Sequence, residues 1–422
     1  MEHAYLAQYV KVILGALSIR KGDRLFINTE PAHWDAARLV AEGAYRAGAL
    51  YVDISAVDPA ISRIRLDNAP EEALSYVPDH LRNRDNTLAN ERWAYLSIGG
   101  PQDPFAMEGV DQRRNGIARR AAAEARGEFH RALVTDQFPW LVVSMPTDAW
   151  ARQVMSGGMA GRSSADGSAA REQLWKVMAP ILKLDEEDPA AAWSAHARQL
   201  KERSVAVTDM HIDTLHITGP DTDLTIGLPS RAVWLGGYSS TPDGRRFLPN
   251  VPTEEVFTAP DYRRTNGHVR ITRPVMVLGT RVEGVVFTFE NGAVTGIHAD
   301  KGKDALENYL RLDAHASAIG EVALVDAGSA IARSGKLFFD ILYDENAACH
   351  FALGSAYPSC IEGGETMTED ELYAEGLNTG KVHLDFMFGS DKINIVARNS
   401  SGNEIKVMEQ GTFADPSLRP KR

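Results

Sequence analysis

Acid and imidazole side chains near the C-terminal end of the chain have types and spacings that could bind metal ions. His383 and Asp385 are separated by one residue in an apolar stretch that continues to Phe388. Because side chains alternate faces along a strand, both should project to the same side of a buried strand. A carboxylate buried there is costly unless it is paired or bound to a cation. The pattern indicates either a structural His–Asp hydrogen bond or part of a metal site.

A second cluster of the same residue types precedes this stretch. Glu345 and His350 flank four residues, and Tyr357 follows shortly after them. Glutamate, aspartate and histidine are the side chains that hold zinc, cobalt or manganese at catalytic sites. The two clusters together favour a metal site over an isolated pair.

Two further acidic positions lie earlier in the chain. Glu254 and Glu255 precede a Val-Phe pair between two prolines, which predicts a constrained loop with one carboxylate pointing inward and the other solvated. Glu321 interrupts an apolar stretch over residues 318–325. Its apolar flanks favour a buried position, and the alternative is a solvent-facing position on a strand.

The elements that must position these groups differ between the two halves of the chain. In the first half, hydrophobic periodicity predicts alternating helices and strands, with strands at residues 24–28, 50–54, 93–100 and 140–146. Strands and helices in β-α-β order imply parallel strands joined by right-handed crossovers. No G-x-G-x-x-G or G-x-x-x-x-G-K-[ST] follows a strand, so the sequence does not favour nucleotide binding.

In the second half, short strands and turns replace this alternation. Strands are predicted at residues 205–207, 211–218, 267–273, 275–278, 284–290 and 293–299, with Asn291-Gly292 as a hairpin turn. We therefore predict an α/β protein with an N-terminal β-α-β domain at residues 1–204, built on a parallel sheet. Residues 205–422 form a C-terminal α+β domain that carries the metal site. The small, polar segment 156–168 is predicted to be a loop.

Composition and charge restrict the partners and the compartment. The 422 residues include 45 Lys+Arg against 57 Asp+Glu, a formal net charge of −12, and no basic stripe stands out, which argues against nucleic-acid binding. No apolar run approaches the ~18 residues that span a bilayer, so no membrane association is expected. Two cysteines, Cys349 and Cys360, are too few for a disulfide framework and fit a cytoplasmic location.

Four stretches, taken in order, resemble the signature stretches of the M29 metallopeptidases, the family of thermophilic aminopeptidase and aminopeptidase T/S. They are residues 253–260, 320–325, 344–354 and 383–390. The resemblance implies a peptidase that removes the N-terminal residue of peptides with a free N-terminus. It also implies a two-domain α/β chain that forms a homodimer around an enclosed cavity.

The resemblance further implies a site with two divalent ions, which could be zinc, cobalt or manganese. Carried over residue by residue, its ligands are Glu255, Glu321, Glu345, His350, His383 and Asp385. Glu255 rather than Glu254 matches, because the family's glutamate directly precedes the Val-Phe pair. Tyr357 matches a tyrosine at the edge of the site.

The chemistry of a two-ion site suggests roles for two of these residues. We predict that Glu321 also accepts the proton of the nucleophilic water. The hydroxyl of Tyr357 would donate a hydrogen bond to the developing oxyanion. The α-amino group of the substrate should meet a metal or a spare carboxylate, so that the enzyme recognises the N-terminus.

Two other functions are compatible with parts of the pattern. His350, His383 and Asp385 could hold a single iron in a mononuclear dioxygenase on the same scaffold. Such a site does not need Glu255 and Glu321, so their position discriminates between the two enzymes. A non-catalytic binding protein is the third possibility, and it is disfavoured because every ligand position is filled.

Overall fold

The computed structural model describes residues 2–157 and 167–419. Most of the loop predicted for residues 156–168 therefore lies outside the described residues. The helices are α1 (Glu2–Ala16), α2 (Trp34–Arg46), α3 (Pro59–Asn68), α4 (Asp79–Asn90), α5 (Gln112–Ala125), α6 (Gly127–Val134), α7 (Asp148–Ser156), α8 (Ser168–Ile181), α9 (Pro189–Thr208), α10 (Lys303–Leu310), α11 (Ala330–Ser334), α12 (Ile341–Glu345) and α13 (Glu369–Ala374).

The strands of the first half and of the segment that follows it are β1 (Arg24–Thr29), β2 (Tyr51–Ala56), β3 (Ala94–Gly99), β4 (Trp140–Ser144), β5 (Ile212–Gly219), β6 (Thr222–Gly227), β7 (Ser239–Ser240), β8 (Arg246–Phe247), β9 (Asn250–Val251) and β10 (Glu255–Thr258). Those of the remaining chain are β11 (Thr265–Arg270), β12 (Val275–Val277), β13 (Thr280–Val282), β14 (Val286–Glu290), β15 (Ala293–His298), β16 (Ile319–Val325), β17 (His350–Gly354), β18 (His383–Met387), β19 (Asn394–Asn399), β20 (Glu404–Glu409) and β21 (Thr412–Phe413).

These elements pack into two compact units. The described residues of Met1–His196 and Tyr238–Pro252 form the first, and those of Ala197–Gly237 and Thr253–Arg422 form the second. The domain boundary predicted from the sequence after residue 204 stays a prediction.

The first unit is built on one parallel sheet with the strand order β2-β1-β3-β4-β9. Each neighbouring pair of strands is parallel, as the β-α-β alternation of the sequence predicts. Its fifth strand comes from residues 250–251, which follow the fourth strand by about a hundred residues in the chain. Local periodicity cannot reveal a pairing over that separation.

The second unit is built mainly on antiparallel sheets. The larger has the order β15-β14-β11-β6-β5-β19-β20-β21, and a four-stranded sheet has the order β10-β16-β17-β18. Asn291 and Gly292 join β14 to β15 with positive φ angles of 50° and 90°, which is the backbone of a primed hairpin turn. A parallel first sheet followed by this antiparallel region confirms the predicted fold class.

One predicted strand of the second half is wrong. Residues 205–207 belong to the last turns of α9, which continues to Thr208. Val205 is 48% exposed whereas Val207 is fully buried. Valine has an intrinsic preference for strands, but this preference is small and the packing of a long helix overrides it.

The four-stranded sheet has one face in the core of the second unit. Phe351 of β17 and Phe386 of β18 are fully buried and stack with ring centroids 5.8 Å apart. Because side chains alternate along each strand, the residues before and after them point to the opposite face.

Among the described residues, none of the helices combines the length and the apolar composition that a membrane span needs.

Candidate metal centre

The four-stranded sheet gathers acidic and imidazole side chains on its second face. Glu255 begins β10, Glu321 lies in β16, His350 begins β17, and His383 and Asp385 lie in β18. The pairing of the strands brings together residues that are far apart in the sequence, with Glu255 opposite Val325 and His350 opposite Ala323. Four separate strands thus contribute to one side of a single sheet.

Small residues leave room between these side chains. Ala352 lies opposite both Glu321 on one neighbouring strand and Asp385 on the other. Its methyl group occupies the position between the two carboxylates where a larger side chain would fill the space. The register therefore places a small side chain, rather than a bulky one, between the carboxylates of the neighbouring strands.

Five of the six predicted ligands make close contacts with one another. Nε2 of His350 lies 3.2 Å from Oε2 of Glu255 and 3.6 Å from Oε1 of Glu321. Nε2 of His383 lies 3.8 Å from Oε2 of Glu321 and 3.3 Å from Oδ1 of Asp385. Glu321 therefore lies between the two imidazoles. One ligand atom from each of Glu255, Glu321 and His350 lies within 4.8 Å of the others, a separation that suits one shared cation.

Main-chain carbonyls fix the orientation of both imidazoles. Nδ1 of His350 lies 3.1 Å from the carbonyl oxygen of Ala348, and Nδ1 of His383 lies 2.9 Å from that of Ser355. An Nδ1–H donated to a carbonyl leaves Nε2 with its lone pair free for a metal. Both Nε2 atoms face the carboxylates, which is the arrangement that a metal-binding histidine requires.

The sixth predicted ligand, Glu345, comes from the end of α12 rather than from the sheet. Its Oε1 lies 3.4 Å from Nδ2 of Asn346. It is close enough to Asp385 and Glu255 that their charges raise its pKa. The structure therefore places Glu345 beside the cluster, at the end of a helix that leads directly into β17.

Asn346 is a residue of the site region to which the sequence assigned no role. It is fully buried, its Oδ1 accepts a hydrogen bond from the Glu254 amide at 2.8 Å, and its Nδ2 donates to the Leu342 carbonyl at 3.0 Å. These bonds connect the chain just before Glu255 to the helix that carries Glu345. Its position directly after a predicted ligand was a signal, but the partner of its Oδ1, the Glu254 amide, is distant in the sequence.

Replacing Asn346 by alanine should lower the free energy of unfolding by about 1–3 kcal/mol, because two buried hydrogen bonds are lost together. Denaturant unfolding of the metal-free protein measures this change. Asn308→Ala is the matched control, since Asn308 is exposed, and it should stay within about 0.5 kcal/mol of the wild type. Equal stability of Asn346→Ala and the wild type would show that Asn346 does not support this region.

Of the loop predicted around Glu254 and Glu255, residues 252–254 lie outside any strand and Glu255 begins β10, but the expectation that one of the pair is solvated is wrong. Both are buried, with exposed fractions of 4% and 6%. Glu255 faces the cluster, whereas Glu254 lies near the buried guanidinium of Arg203, whose pKa is lowered by burial and raised by the charges of Glu254 and Asp326. The positive charge of Arg203, from a helix distant in the sequence, therefore accounts for the burial of the Glu254 carboxylate.

The electrostatics of the cluster are those of a site crowded with acids. Burial, followed by the charges of Asp385 and Glu255, raises the pKa of Glu345 well above its usual value. Burial also raises the pKa of Glu321. Burial would lower the pKa of His383, but the carboxylates of Asp385 and Glu321 raise it to about 10. Carboxylates packed this closely must be neutralised by protons or by cations.

Tyr357 lies at the edge of the cluster. Its ring is 5.8 Å from the imidazole of His383 and 5.8 Å from the ring of Phe257, in edge-on contacts. Burial and the surrounding carboxylates, Glu321 first among them, raise the pKa of Tyr357 well above its usual value. Its hydroxyl therefore keeps its proton and is available to donate a hydrogen bond.

The residues of the cluster fit a divalent metal. Oε2 of Glu255 is buried and makes no hydrogen bond of acceptable geometry in the described structure, although His350 approaches it to 3.2 Å. A buried acceptor without a well-aligned donor is costly, and a cation bound there would satisfy it. Carboxylates with two imidazoles are ligands that zinc, cobalt and manganese accept.

Comparison with known proteins agrees with this geometry. The family model described as thermophilic metalloprotease (M29) matches residues 2–413. Aminopeptidase T of Thermus thermophilus is 37% identical over 94% of this chain and 95% of its own length. Aminopeptidase 2 of Geobacillus stearothermophilus is 35% identical over 94% of each chain.

A solved structure shows the same fold. Wild-type AmpT from Thermus thermophilus superposes with a TM-score of 0.89 at 34% identity, over 98% of this chain and 100% of the other. The resemblance read from four short motifs is thereby confirmed over nearly the whole length. The chain belongs to the M29 family of thermophilic metalloproteases and is a metal-dependent hydrolase of peptide bonds.

Proposed function

We propose that the chain is an aminopeptidase that removes the N-terminal residue of peptides at a site with two divalent cations. The single observation that carries the proposal is the convergence of Glu255, Glu321, His350, His383 and Asp385 on one face of a sheet. Relatives named aminopeptidase T and aminopeptidase 2 support the preference for an N-terminus.

Two groups of ligands can be distinguished around Glu321. His350, which also contacts Glu255, lies beside Oε1 of Glu321, while His383, which also contacts Asp385, lies beside its Oε2. These two groups of residues, together with Glu345 from α12, would hold the cations. Zinc, cobalt or manganese bound there would lower the pKa of water and polarise the peptide carbonyl.

The side chains of the cluster would then have different roles in the reaction. Glu321 lies between the two imidazoles and is placed to accept the proton from the attacking water and to pass it on to the leaving amine. The protonated hydroxyl of Tyr357 is placed at the edge of the cluster, where it can donate to the oxyanion that develops on the peptide carbonyl. The carboxylates can bind the protonated α-amino group of the substrate.

A mononuclear iron dioxygenase has no support from the family comparison. It would also leave two buried glutamates, Glu255 and Glu321, in contact with His350 without a function.

From the family resemblance we further propose that the chain forms a homodimer, and from the two free cysteines that it is located in the cytoplasm. Size-exclusion chromatography with light scattering tests the homodimer.

The proposed function predicts a strict requirement for a free α-amino group. With zinc, cobalt or manganese added, leucine p-nitroanilide should be hydrolysed, while N-acetyl-leucine p-nitroanilide should be cleaved at least about a hundredfold more slowly. The acetyl group removes the charge that the carboxylates would bind. Equal rates for the two substrates would contradict an aminopeptidase and indicate a hydrolase that does not recognise the N-terminus.

A further inference from the structure

A cavity of about 400 Å³ lies beside the candidate metal centre within the second unit. On one side it is lined by three consecutive residues of β18, which are His383, Leu384 and Asp385. Consecutive residues of a strand point to opposite faces of the sheet. A cavity that contacts all three must therefore run along the outer edge of the strand rather than over one face. Its volume lies in the range of roughly 300–1,000 Å³ typical of small-ligand sites.

The main chain of β18 is open toward this cavity. The strand is the last of its four-stranded sheet, and the bonds from the Ser355 amide to the Val382 carbonyl and from the Phe388 amide to the Cys349 carbonyl set its pairing with β17. In that pattern the amides and carbonyls of His383 and Asp385 point away from β17. An extended peptide can add to such an edge as a further strand.

The open stretch of this edge is short. The carbonyl of Met387 points the same way but accepts a hydrogen bond from the amide of Thr272 at 2.8 Å. The chain at Thr272 therefore closes the edge two residues beyond Asp385. Only the first residue or two of a bound peptide can pair with β18, next to the imidazole of His383.

The opposite wall of the cavity is mainly apolar and partly open to solvent, and the charged side chains of Arg281, Asp340 and Asp344 also line it. It includes Met276, Leu337, Phe339 and Ile341. Met276 and Ile341 are 45% and 46% exposed, which is high for large apolar side chains. Apolar side chains left open around a concave site are typical of ligand-binding sites.

Phe339 is held in this wall by an unusual backbone. Its φ angle is +55°, a left-handed conformation that is unfavourable for a bulky residue. The guanidinium of Arg281, which also lines the cavity, lies over its ring at 5.5 Å from the centroid. Backbone strain of this kind persists where the surrounding structure fixes a side chain in place, and it concentrates at functional sites.

We propose that this cavity binds the N-terminal residue of the peptide substrate and selects large apolar side chains. The proposal rests on the proposed function. The Cα atom of the first residue is one bond from both the amino nitrogen and the carbonyl carbon that is attacked. When those two groups reach the carboxylates and imidazoles, the cavity directly beside His383 and Asp385 is within reach of the side chain. The apolar wall of Met276, Leu337, Phe339 and Ile341 then faces that side chain.

Ile341→Asp tests the proposal by placing a carboxylate in the apolar wall. Ile341 is the first residue of α12, where an acidic side chain is compatible with the helix. We expect the ratio of kcat/KM for leucine p-nitroanilide to that for lysine p-nitroanilide to fall by about tenfold or more. A change of preference toward lysine is a gain that structural damage would not produce.

Ile61→Asp is the matched control, because Ile61 is 67% exposed on α3 in the first unit, and its leucine-to-lysine ratio should equal that of the wild type. Assays with dipeptides that vary one position at a time locate the effect. A changed preference at the first position supports the proposal. An unchanged ratio, or a change confined to the second position, would overturn it.

Failure of this proposal is distinct from failure of the proposed function. If the wild-type protein with added metal hydrolyses none of these substrates, the aminopeptidase itself is wrong, and the pocket assignment falls with it. If it hydrolyses them and Ile341→Asp keeps the wild-type preference, the aminopeptidase stands and only the pocket assignment is wrong.

Discussion

Glu321→Gln should lower kcat/KM for aminoacyl anilides by about 10²–10⁴-fold while leaving the protein folded. The amide has almost the same shape as the carboxylate but cannot accept a proton from water. Glu321 lies between Nε2 of His350 and Nε2 of His383, so its loss also removes the group that borders both halves of the site. Steady-state kinetics with leucine p-nitroanilide and saturating zinc measure the effect.

Thermal unfolding distinguishes this loss from misfolding. Ionised Glu321 is buried among other carboxylates, so the neutral amide should leave the metal-free protein at least as stable as the wild type. Glu409→Gln is the control, since Glu409 is exposed on β20 and its activity should stay within about twofold of the wild type. A Glu321→Gln protein with the wild-type rate would remove Glu321 from the mechanism.

Removal of metal should abolish peptidase activity completely, and this is the second large effect. After chelation and dialysis, leucine p-nitroanilide should no longer be cleaved, and zinc, cobalt or manganese should restore the rate. The reason is that the carboxylates and the two oriented imidazoles would hold the ions that activate the water and the substrate, and no side chain of the cluster could take over that role.

The free energy of unfolding should also increase as metal is added back to the chelated protein. A cation present at a hundred times its dissociation constant adds about 2.7 kcal/mol to the free energy of unfolding for each site, so the melting temperature should rise as metal is added back. A sample dialysed without chelator is the control for losses during handling. Full activity in the chelated sample would show that the reaction does not depend on a metal.

Parts of the site could be predicted because they depend on local geometry. The alternation of a strand places His383 and Asp385 on one side, and in the structure their side chains lie 3.3 Å apart. The β-α-β order of the first half likewise predicted a parallel sheet. In both cases the physical rule acts between neighbours in the sequence.

Other parts depend on contacts between distant residues. The burial of Glu254 depends on the nearby guanidinium of Arg203. The cavity beside β18 is lined partly by residues 274–281, which precede β18 by about a hundred residues in the sequence. The role of Asn346 likewise becomes clear only from the hydrogen bond that its side chain accepts from the distant Glu254 amide. No periodicity in a single sequence contains this information, because long-range pairing decides it.

Counting metal ions on the purified chain tests the central claim most directly. The protein is saturated with zinc, freed of unbound metal by gel filtration, and measured by elemental analysis against its concentration. A site built from the six predicted acid and imidazole ligands should hold two ions per chain, with fewer in His383→Ala. One ion per wild-type chain, or two that persist unchanged in His383→Ala, would contradict the account.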